Sequence, residues 1–310
     1  MKIKVEKKKI GVVVVHYGNK NDTLDCLNAL NKTRTSGLEI IVYLVDNGSK
    51  NKILLKDLKY KLKIILLNIK INRGIAVGGN LGIKTALKDK CDYIMSLNND
   101  IIVKKDIFDV LLPYLKNNIK IVVPMLVYYD KPDIIWCVNG YLNKRFLYSK
   151  YPYMNRKINS LLLPEVIYSD FAGACMIVDS EVYSKIGLYD ERYFFGVEEI
   201  EWCFRAKSHG YKLIYTTKTK VLHKVAANTG IRGSNNMTPM LAYYSSRNFF
   251  IFLKDHITFF NVFTALIGQT FIRLPFYIVF RMNSFVSALS YIKGYIHGWD
   301  YLFTGKLRSL

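Results

Sequence analysis

The sequence predicts an α/β fold built on a mostly parallel sheet with helices on both of its faces. Three observations lead to this prediction. Short runs rich in Val, Ile and Leu recur through the first third of the chain, segments with helical apolar spacing lie between them, and three of the runs end in polar clusters. Strands and helices that alternate in this way form right-handed β-α-β units, which place the strands parallel and the helices over the sheet.

The elements of the first half follow from these patterns. Residues 12–15 form a β-branched run, which is typical of a strand buried on both faces. Leu24, Leu27 and Leu30 share one face of a predicted helix over residues 22–30. Further strands are predicted at 40–45, 63–67 and 93–97, and a helix at 83–88 follows the glycine-rich stretch NRGIAVGGNLG.

The second half adds shorter elements. A helix is predicted over residues 198–209 because Ile200, Cys203 and Phe204 form an apolar stripe, and Gly210 ends it. The basic and aromatic segment 141–164 is predicted to be a long loop. Strands are predicted at 121–123, 134–138, 172–178, 212–215 and 220–222.

From Phe249 onward the chain is rich in Phe, Ile, Leu and Tyr, with basic residues among them. No uninterrupted apolar run in this region approaches the roughly 20 residues that are needed to cross a bilayer. Amphipathic helices that combine aromatic and basic residues lie in the membrane interface, and we favour this interpretation. The alternative is that these helices close the globular core or form a dimer face.

The composition limits the class of protein. The 310 residues are 51% hydrophobic, which excludes an intrinsically disordered chain. The 45 Lys and Arg against 24 Asp and Glu give a net charge of +21. This excess favours a negatively charged partner such as nucleic acid, an anionic membrane or a phosphorylated substrate. The alternative is a lysine-rich solvated surface. The five cysteines contain no C-x-x-C pair. We therefore predict that they are reduced, that most lie in the core of a protein exposed to the cytosol, and that they form no zinc site.

Polar clusters follow three of the predicted strands. Residues 16–19 read HYGN, residues 46–49 read DNGS and residues 98–100 read NND. Ligands of open α/β sheets bind beyond the carboxyl ends of the strands, and parallel strands end at the same edge. The three clusters are therefore expected to line one binding crevice, although each taken singly is also typical of a turn.

Four residues are candidates for chemistry. Asp100 is a hard oxygen ligand, and Mg²⁺ or Mn²⁺ is usually held by one or two carboxylates together with substrate phosphates. Glu198 and Glu199 are adjacent, and repulsion between two carboxylates would raise the pKa of one of them, which suits a general base. The alternative is that both acids only stabilise the N-terminus of the helix. His223 ends a short strand, and imidazole is a common metal ligand, although a lone His is usually structural.

The glycine-rich stretch does not match the common nucleotide motifs. A P-loop requires a Gly immediately before Lys84, which is absent, and Gly74, Gly78 and Gly79 do not give G-x-G-x-x-G. Neither an NTPase nor a nicotinamide enzyme is supported. The glycines would still permit close approach of the backbone to a ligand.

Taken in order, these motifs resemble the family 2 glycosyltransferases of the GT-A fold over roughly residues 10–250. The segments EWCFRA and YYSSRNFFIF resemble the rhamnosyltransferase branch of that family. The resemblance implies a GT-A (Rossmann-like) mixed sheet flanked by helices, followed by a helical, aromatic-basic extension. It rests on the segments VVVVHYGN, YLVDNGS, NRGIAVGGNLGI, YIMSLNND, FAGACMIV, IGLYDERYFFGVEEIEWCFR and KVLHK.

The resemblance also implies roles for single residues. Asp46 would contact the nucleobase, in a pocket lined by His16 and Tyr17. Asp100 is the one carboxylate in the family's D-x-D position and would face Mg²⁺ or Mn²⁺ together with His223. Glu199 aligns with the catalytic base and Glu198 with its acidic neighbour. The nucleotide-sugar pocket would further include Asn47, Arg73, Gly74, Asn80, Asn98 and Asn99.

The activity implied is an inverting transfer of a sugar from a nucleoside-diphosphate sugar, of the dTDP-rhamnose or UDP-hexose type. The acceptor would be a glycan or lipid-linked hydroxyl in surface polysaccharide synthesis, at the cytoplasmic face of the membrane and without nucleic acid. Residues 1–120 would bind the donor, residues 121–245 would supply the acceptor and catalytic half, and residues 246–310 would form the amphipathic region. The alternatives are a sugar nucleotidyltransferase and a non-catalytic nucleic-acid-binding protein.

Overall fold

The protein is built on one large mixed sheet. The computed structural model describes residues 7–35, 37–225, 237–282 and 284–310. A separate two-stranded hairpin consists of β8 and β9. In chain order the strands are β1 (Lys8–His16), β2 (Leu38–Asn47), β3 (Lys63–Ile69), β4 (Tyr93–Asn98), β5 (Ile101–Ile102), β6 (Ile119–Tyr128), β7 (Ile135–Cys137), β8 (Tyr141–Asn143), β9 (Tyr148–Lys150), β10 (Val166–Ser169), β11 (Cys175–Asp179) and β12 (Lys212–His223).

Helices accompany the sheet and dominate the C-terminal part of the chain. A π-helical segment, Gly268–Arg273, joins α7 to α8. The helices are α1 (Lys20–Leu30), α2 (Ile75–Lys88), α3 (Ile107–Leu111), α4 (Ser180–Ile186), α5 (Glu198–Ser208), α6 (Pro239–His256), α7 (Phe259–Ile267), α8 (Leu274–Phe280) and α9 (Phe285–Thr304).

The sheet has the order β10-β12-β6-β11-β4-β1-β2-β3, with β5 beside β12 and β7 beside β6. The four strands β4, β1, β2 and β3 are mutually parallel, whereas β11 runs antiparallel between β4 and β6. Val12, Val13 and Val14 are all buried, because β1 is covered on both faces. The predicted α/β fold with a mixed sheet is confirmed. The five cysteines are free and buried, as predicted for core thiols.

The register brings the predicted polar clusters to one edge. His16 at the end of β1 lies beside Asp46 of β2, and Val15 lies beside Asn98 at the end of β4. Because these strands are parallel, the chain leaves the sheet at neighbouring points after each of them. The expectation that the three clusters share an edge is therefore confirmed.

The glycine-rich stretch is helical rather than a loop. Helix α2 begins at Ile75 and not at residue 83, so the predicted start was wrong. Gly78 and Gly82 lie on the buried face of α2, where a Cβ on Gly78 would lie 2.8 Å from Cγ1 of Val15. The sequence suggested close approach to a ligand, but the absent side chains instead let the helix pack against β1.

Two further predictions need correction in the second half. The strands predicted at 212–215 and 220–222 are one strand, β12, because the polar residues between Thr216 and Lys220 shift its register without ending it. The predicted loop 141–164 contains the hairpin of β8 and β9. The division into parts after residues 120 and 245 stays a prediction; these two positions lie within β6 and within α6.

The C-terminal helices pack on one another at glycines. Gly294 and Gly298 of α9 face Tyr243 and Phe250 of α6. The stretch Phe259–Phe280 is the one candidate membrane span, by length and composition only, in the part of the chain that the structure describes. It has 22 residues, and its most apolar 18-residue segment has a mean hydropathy of 1.5 and is only 17% buried.

No apolar run in this region is uninterrupted over about 20 residues, as expected, but a helical stretch of spanning length forms in spite of the interruptions. The helical course continues from α7 through the π-helical segment into α8, so Arg273 and Pro275 do not end it.

Candidate active site

Asp46 places a buried carboxylate at the ligand edge of the sheet. Its side chain is 2% exposed, and its Oδ1 accepts a hydrogen bond from the Ser49 backbone N–H at 2.9 Å. Its Oδ2 is buried and has no hydrogen-bond partner among the described residues. A buried acceptor without a donor is costly, so this oxygen is suited to an N–H group of a ligand. The nucleobase contact stays a prediction.

His16 and Tyr17 differ in their environments. His16 is fully buried, and its ring nitrogens lie 2.8 Å from Thr23 Oγ1 and 2.8 Å from the Asn51 carbonyl oxygen. It therefore ties the end of β1 to α1 and to the loop after β2. Tyr17 is exposed at the edge of the sheet. Of these two predicted pocket residues, Tyr17 is the one with a side chain accessible to a ligand.

Asn47 fixes the loop that precedes α2. Its Nδ2 donates hydrogen bonds to Asn72 Oδ1 and to the Gly74 carbonyl, both at 3.0 Å, and its Oδ1 accepts one from the Arg73 backbone N–H at 3.3 Å. Gly74 has a φ of 92°, and a Cβ there would lie 2.5 Å from the Phe194 carbonyl oxygen. Asn47 and Gly74 thus shape the loop, while Arg73 is exposed on it.

Asn80 joins α2 to the segment 189–191. Its Nδ2 donates hydrogen bonds to the Tyr189 carbonyl at 2.9 Å and to Glu191 Oε1 at 3.1 Å, and its Oδ1 accepts one from the Tyr189 backbone N–H at 3.0 Å. These bonds place Tyr189, which sequence reasoning missed, against the cavity described below. The signal for Tyr189 was its position in the IGLYDERYFFGVEEIEWCFR segment.

Asp100 and His223 form a buried pair. Each is 6% exposed, and His223 Nε2 lies 3.3 Å from Asp100 Oδ1. Antiparallel pairing of β5 with β12 sets this contact, because His223 lies beside Ile101. Trp136 packs edge-on against the imidazole with ring centroids 4.4 Å apart. Within the described ranges, neither Asp100 Oδ1 nor His223 Nδ1 has a hydrogen-bond partner of good geometry.

The Asp100 carboxylate is held in its charged form. Burial raises the pKa of Asp100, but the contact with His223, a backbone hydrogen bond and the charge of Lys224 together more than offset this effect, so the pKa lies below its usual range. An ionised carboxylate beside an imidazole is a donor set that fits a divalent cation. Among the described residues no group of three or more His, Cys, Asp or Glu side chains could hold a metal. Two protein ligands suit Mg²⁺ or Mn²⁺ that is completed by substrate phosphate.

Lys224 supports this pair and was missed by sequence reasoning. Its Nζ lies 2.7 Å from Asp22 Oδ1 and 2.7 Å from Asp25 Oδ2, both on α1. Its backbone N–H donates a hydrogen bond to the Asp100 carbonyl at 3.1 Å. The end of β12 is thereby fixed to α1 next to His223. The available signal was the spacing of Asp22 and Asp25, which places both acids on one helix face.

Asn98 and Asn99 complete the NND cluster. Asn99 Nδ2 donates a hydrogen bond to Thr23 Oγ1 at 2.8 Å, and the Asn98 backbone N–H donates one to the Ala174 carbonyl at 2.9 Å. Asn99 therefore connects the cluster to α1, whereas Asn98 lines the cavity at the end of β4.

Glu198 and Glu199 open helix α5 as a buried acid pair. Gly196 and Val197 have φ values of 72° and 77°, which turn the chain sharply into the helix. Glu198 is buried and its Oε2 has no hydrogen-bond partner in the described part of the chain, while Glu199 is partly exposed. Burial raises the pKa of both carboxyls, and the charge of Glu198 raises that of Glu199 further. A carboxylate of raised pKa suits a general base that works near neutral pH.

A cavity of about 30 Å³ lies between the Glu198–Glu199 pair and the end of β4. Asp100 lies two residues beyond Asn98, so their Cα atoms are at most about 7 Å apart. The acid pair and the Asp100–His223 pair therefore both adjoin the end of β4. The cavity is lined by Val13, Val15, Ile75, Gly79, Ser96, Leu97, Asn98, Tyr189, Glu198 and Glu199.

The fold and the site together define an α/β protein with acidic groups near the carboxyl end of a central strand. The model of Glycosyl transferase family 2 matches residues 11–187, which include Asp46 and Asp100 and end before Glu198. The chain belongs to this family and is a glycosyltransferase. The predicted resemblance is confirmed.

Known proteins resemble the chain over most of its length. It is 28% identical over 264 residues to dTDP-rhamnosyl transferase RfbF of Shigella flexneri, covering 80% of this chain and 81% of that protein. The S. aureus TarS 1–349 structure in complex with UDP-GlcNAc is 14% identical, with a TM-score of 0.55 over 92% of this chain and 79% of TarS.

GalNAc-T7 with UDP, GalNAc and Mn²⁺ is 15% identical, with a TM-score of 0.57 over 70% of this chain and 44% of that one. The two structures agree with this protein in the GT-A fold. The sequence relative supports a rhamnosyltransferase-like member of the family.

Proposed function

We propose that this glycosyltransferase moves a sugar from a nucleoside-diphosphate donor to an acceptor hydroxyl, with inversion at the anomeric carbon. The observation that carries the proposal is that two separate groups of acidic side chains lie near the end of β4. The Glu198–Glu199 pair lines the cavity there together with Asn98, and the Asp100–His223 pair follows two residues on. The first pair suits proton transfer and the second suits a diphosphate with its cation.

Glu199 takes the proton of the acceptor hydroxyl in the proposed reaction. The acceptor oxygen forms a bond to the anomeric carbon while the bond from that carbon to the diphosphate oxygen breaks. The bonding electrons leave with the diphosphate, and one displacement inverts the configuration. Glu199 is the better base of the pair, because it is the more exposed and because the Glu198 charge raises its pKa.

Asp100 and His223 are the residues that would hold Mg²⁺ or Mn²⁺. A divalent cation bound there would neutralise charge on the departing diphosphate, which would stabilise the transition state by several kcal/mol. Asp100 stays ionised for this purpose because of His223 and Lys224. Asp46 offers its unpaired Oδ2 to a nucleobase N–H at the end of β2.

The named relatives guide the choice of donor. RfbF is described as a dTDP-rhamnosyl transferase, and TarS is described in complex with UDP-GlcNAc. We favour dTDP-rhamnose as the donor because RfbF matches most of both chains, with a UDP-hexose as the second candidate. A glycan or lipid-linked hydroxyl of a surface polysaccharide is the proposed acceptor. The Mn²⁺ in the GalNAc-T7 structure supports the divalent cation.

A donor panel tests the function. The purified protein is incubated with dTDP-rhamnose, UDP-GlcNAc and other nucleotide sugars, with Mn²⁺ or Mg²⁺, and release of the nucleoside diphosphate is measured. We expect release from one donor, with a loss of about 10²–10⁴-fold in Glu199→Gln, as is typical when a general base is removed. Asp100→Ala should lose activity and also weaken Mn²⁺ binding, which electron paramagnetic resonance measures directly.

Asp109→Ala is the matched control, because Asp109 is an exposed carboxylate on α3. It should retain activity. Undiminished turnover in Glu199→Gln would rule out the proposed base, and unchanged Mn²⁺ binding in Asp100→Ala would rule out the proposed cation site.

We also propose that the enzyme works at the cytoplasmic face of the cell membrane, with residues 259–280 against an anionic bilayer. Phe259, Phe260 and Phe263 are 88%, 85% and 70% exposed, so α7 presents aromatic side chains to its surroundings. An exposed apolar surface of this kind marks a protein or membrane contact, and the net charge of +21 favours an anionic one. The free, buried cysteines suit a reducing compartment.

A further inference from the structure

The loop that leads into the acid pair is fastened by two neighbouring residues of α6. Asn248 Nδ2 donates hydrogen bonds to the Phe195 carbonyl at 3.0 Å and to the Gly196 carbonyl at 2.9 Å. Arg247 Nη2 donates one to the Arg192 carbonyl at 2.7 Å. Three backbone carbonyls within the six residues before Glu198 are therefore held from a helix that lies about fifty residues further along the chain.

The two side chains that make these bonds are buried. Arg247 is 2% exposed and Asn248 is fully buried. Arg247 also donates hydrogen bonds to Asn248 Oδ1 and to the Arg308 carbonyl, and it stacks on the ring of Tyr244 at 4.7 Å. These partners are all uncharged. Because a buried guanidinium is costly without strong hydrogen bonds, its use here to hold main-chain carbonyls is a specific arrangement rather than an incidental one.

The loop needs to be held. Val197 is a β-branched residue in the left-handed region, with a φ of 77°, and Gly196 before it has a φ of 72°. Such a backbone persists only where its surroundings impose it. The Val197 carbonyl accepts the first hydrogen bond of α5, from the Glu201 backbone N–H at 2.8 Å. The direction of the first turn of α5, which carries the acid pair, depends on this conformation.

We propose that Arg247 and Asn248 are positioning residues for the transfer reaction, which hold residues 192–197 so that Glu198 and Glu199 stay at the end of β4. The proposal rests on the proposed role of Glu199 as the base. It gives the YYSSRNFFIF segment a function and makes α6 part of the catalytic unit. A purely structural role would affect stability without affecting the acid pair.

Asn248→Leu tests the proposal, because leucine keeps a similar volume and removes both donors. Asn31→Leu is the matched control. The Asn31 amide oxygen also accepts two backbone hydrogen bonds from a loop, from Lys61 at 2.8 Å and from Leu62 at 3.3 Å. It lies at the C-terminal end of α1, away from the edge where the clusters gather. Both variants are studied as the full chain, with thermal unfolding to check that each is folded.

The first readout is hydrogen–deuterium exchange of peptides that cover residues 192–199. We expect at least about 10-fold faster exchange in Asn248→Leu than in the wild type, and no change there in Asn31→Leu. The second readout is kinetic. We expect kcat to fall about 10²-fold in Asn248→Leu with the donor KM within about 3-fold, since small misplacements of a catalytic group have this effect.

The acidic limb of the kcat/KM profile should also move to lower pH in Asn248→Leu, because a loosened loop exposes the acid pair to water. Unchanged exchange at residues 192–199 would overturn the proposal. Equal losses of kcat in the two variants with unmoved pH profiles would overturn it as well, since they indicate a structural role alone. If Asn248→Leu does not fold, Arg247→Lys is measured in the same way. Lysine keeps the positive charge but lacks the branched guanidinium that donates to several acceptors at once.

The outcomes separate this proposal from the proposed function. If the wild type transfers no sugar from any donor, the proposed function fails, while the exchange experiment still shows whether α6 holds the loop. If the wild type is active and Asn248→Leu matches it in exchange, kcat and pH profile, only the positioning role fails.

Discussion

At the residue scale, the site holds carboxylates with opposite electrostatic environments. Asp100 faces His223 and Lys224, and its pKa is held below the usual range. Glu198 and Glu199 face apolar surroundings and each other, and their pKa values are raised. Acidic groups whose environments separate their pKa values are commonly divided between different roles. This separation supports the proposed division of roles, in which Asp100 faces the cation and the glutamate pair takes the proton.

The raised pKa of the pair predicts the pH dependence of transfer. The base acts only when ionised, so kcat/KM should rise with pH, and its acidic limb should lie above the value of about 4.3 for a free Glu. In Glu198→Gln the charge that raises the pKa of Glu199 is removed. The limb should therefore move to lower pH while the remaining activity stays dependent on Glu199. Steady-state rates across the pH range measure both effects.

Asp109→Asn provides the comparison for this experiment, since it removes an exposed acid outside the site and should leave the limb in place. A limb that stays fixed in Glu198→Gln, or that moves to higher pH, would contradict the coupling of the two glutamates.

Sequence patterns identified the site residues that follow strands, because strand ends are visible in the order of apolar and polar residues. Asp46 and Asp100 were found in this way. Lys224 and Asn248 were missed because their partners are distant in sequence: the ion pair of Lys224 with Asp22 joins residues 202 positions apart, and the spacing of Asp22 and Asp25 does not by itself indicate which residue they bind. His16 is a residue of the opposite kind, since its position suggested a ligand contact but its ring nitrogens contact Thr23 and a backbone carbonyl.

At the scale of elements, glycines decide where helices can pack closely. In α2 the small residues face β1, and in α9 they face α6. A local pattern predicts a break wherever glycines cluster, because glycine lowers helix propensity. The tertiary contact overrides that preference, since a bulkier side chain would keep the helix away from its neighbour. This is why the start of α2 was misplaced while its existence was predicted.

Gly294→Ala tests the packing of α9 on α6. A Cβ at this position would lie 3.1 Å from Cα and 3.0 Å from the carbonyl carbon of Tyr243, with its carbonyl oxygen closer still. Backbone atoms cannot rotate away, so overpacking should cost about 1–3 kcal/mol and outweigh the gain of about 1 kcal/mol in helix propensity. Urea titration measures the free energy of unfolding.

Lys293→Ala, on the exposed side of the same helix, should change the free energy of unfolding by less than about 0.5 kcal/mol. A Gly294→Ala protein as stable as the wild type would show that α9 has room to move away from α6 at this point.

At the scale of the whole molecule, the alternation of strands and helices was sufficient to predict the sheet. It was not sufficient to predict that β11 inserts antiparallel between β4 and β6, because a strand reversal depends on connections that leave no periodic signal. The C-terminal region was predicted to be an amphipathic, membrane-associating extension, with closure of the globular core or a dimer face as the alternative. The structure also connects it to the acid pair, since α6 contacts the loop before Glu198 and packs along α9.

The exposed aromatic side chains of α7 lead to a prediction about binding to lipid vesicles. Replacement of Phe259, Phe260 and Phe263 together by Ser removes exposed apolar side chains and no buried ones, so the fold should persist. We expect the wild type to float with vesicles containing anionic lipid, and less with neutral vesicles, because each Lys or Arg near an anionic surface contributes roughly 1 kcal/mol. The triple variant should lose most of this binding.

The control combines Leu55→Ser with Leu162→Ser, which removes two exposed leucines outside the C-terminal helices, and it should float like the wild type. Salt separates the two contributions, since about 1 M salt screens charges beyond roughly 3 Å but leaves apolar contacts in place. Binding that vanishes in salt and is unchanged by the triple substitution would make the interaction electrostatic alone and would remove α7 from it. Resistance of the wild type to alkaline carbonate extraction would instead indicate that residues 259–280 cross the bilayer.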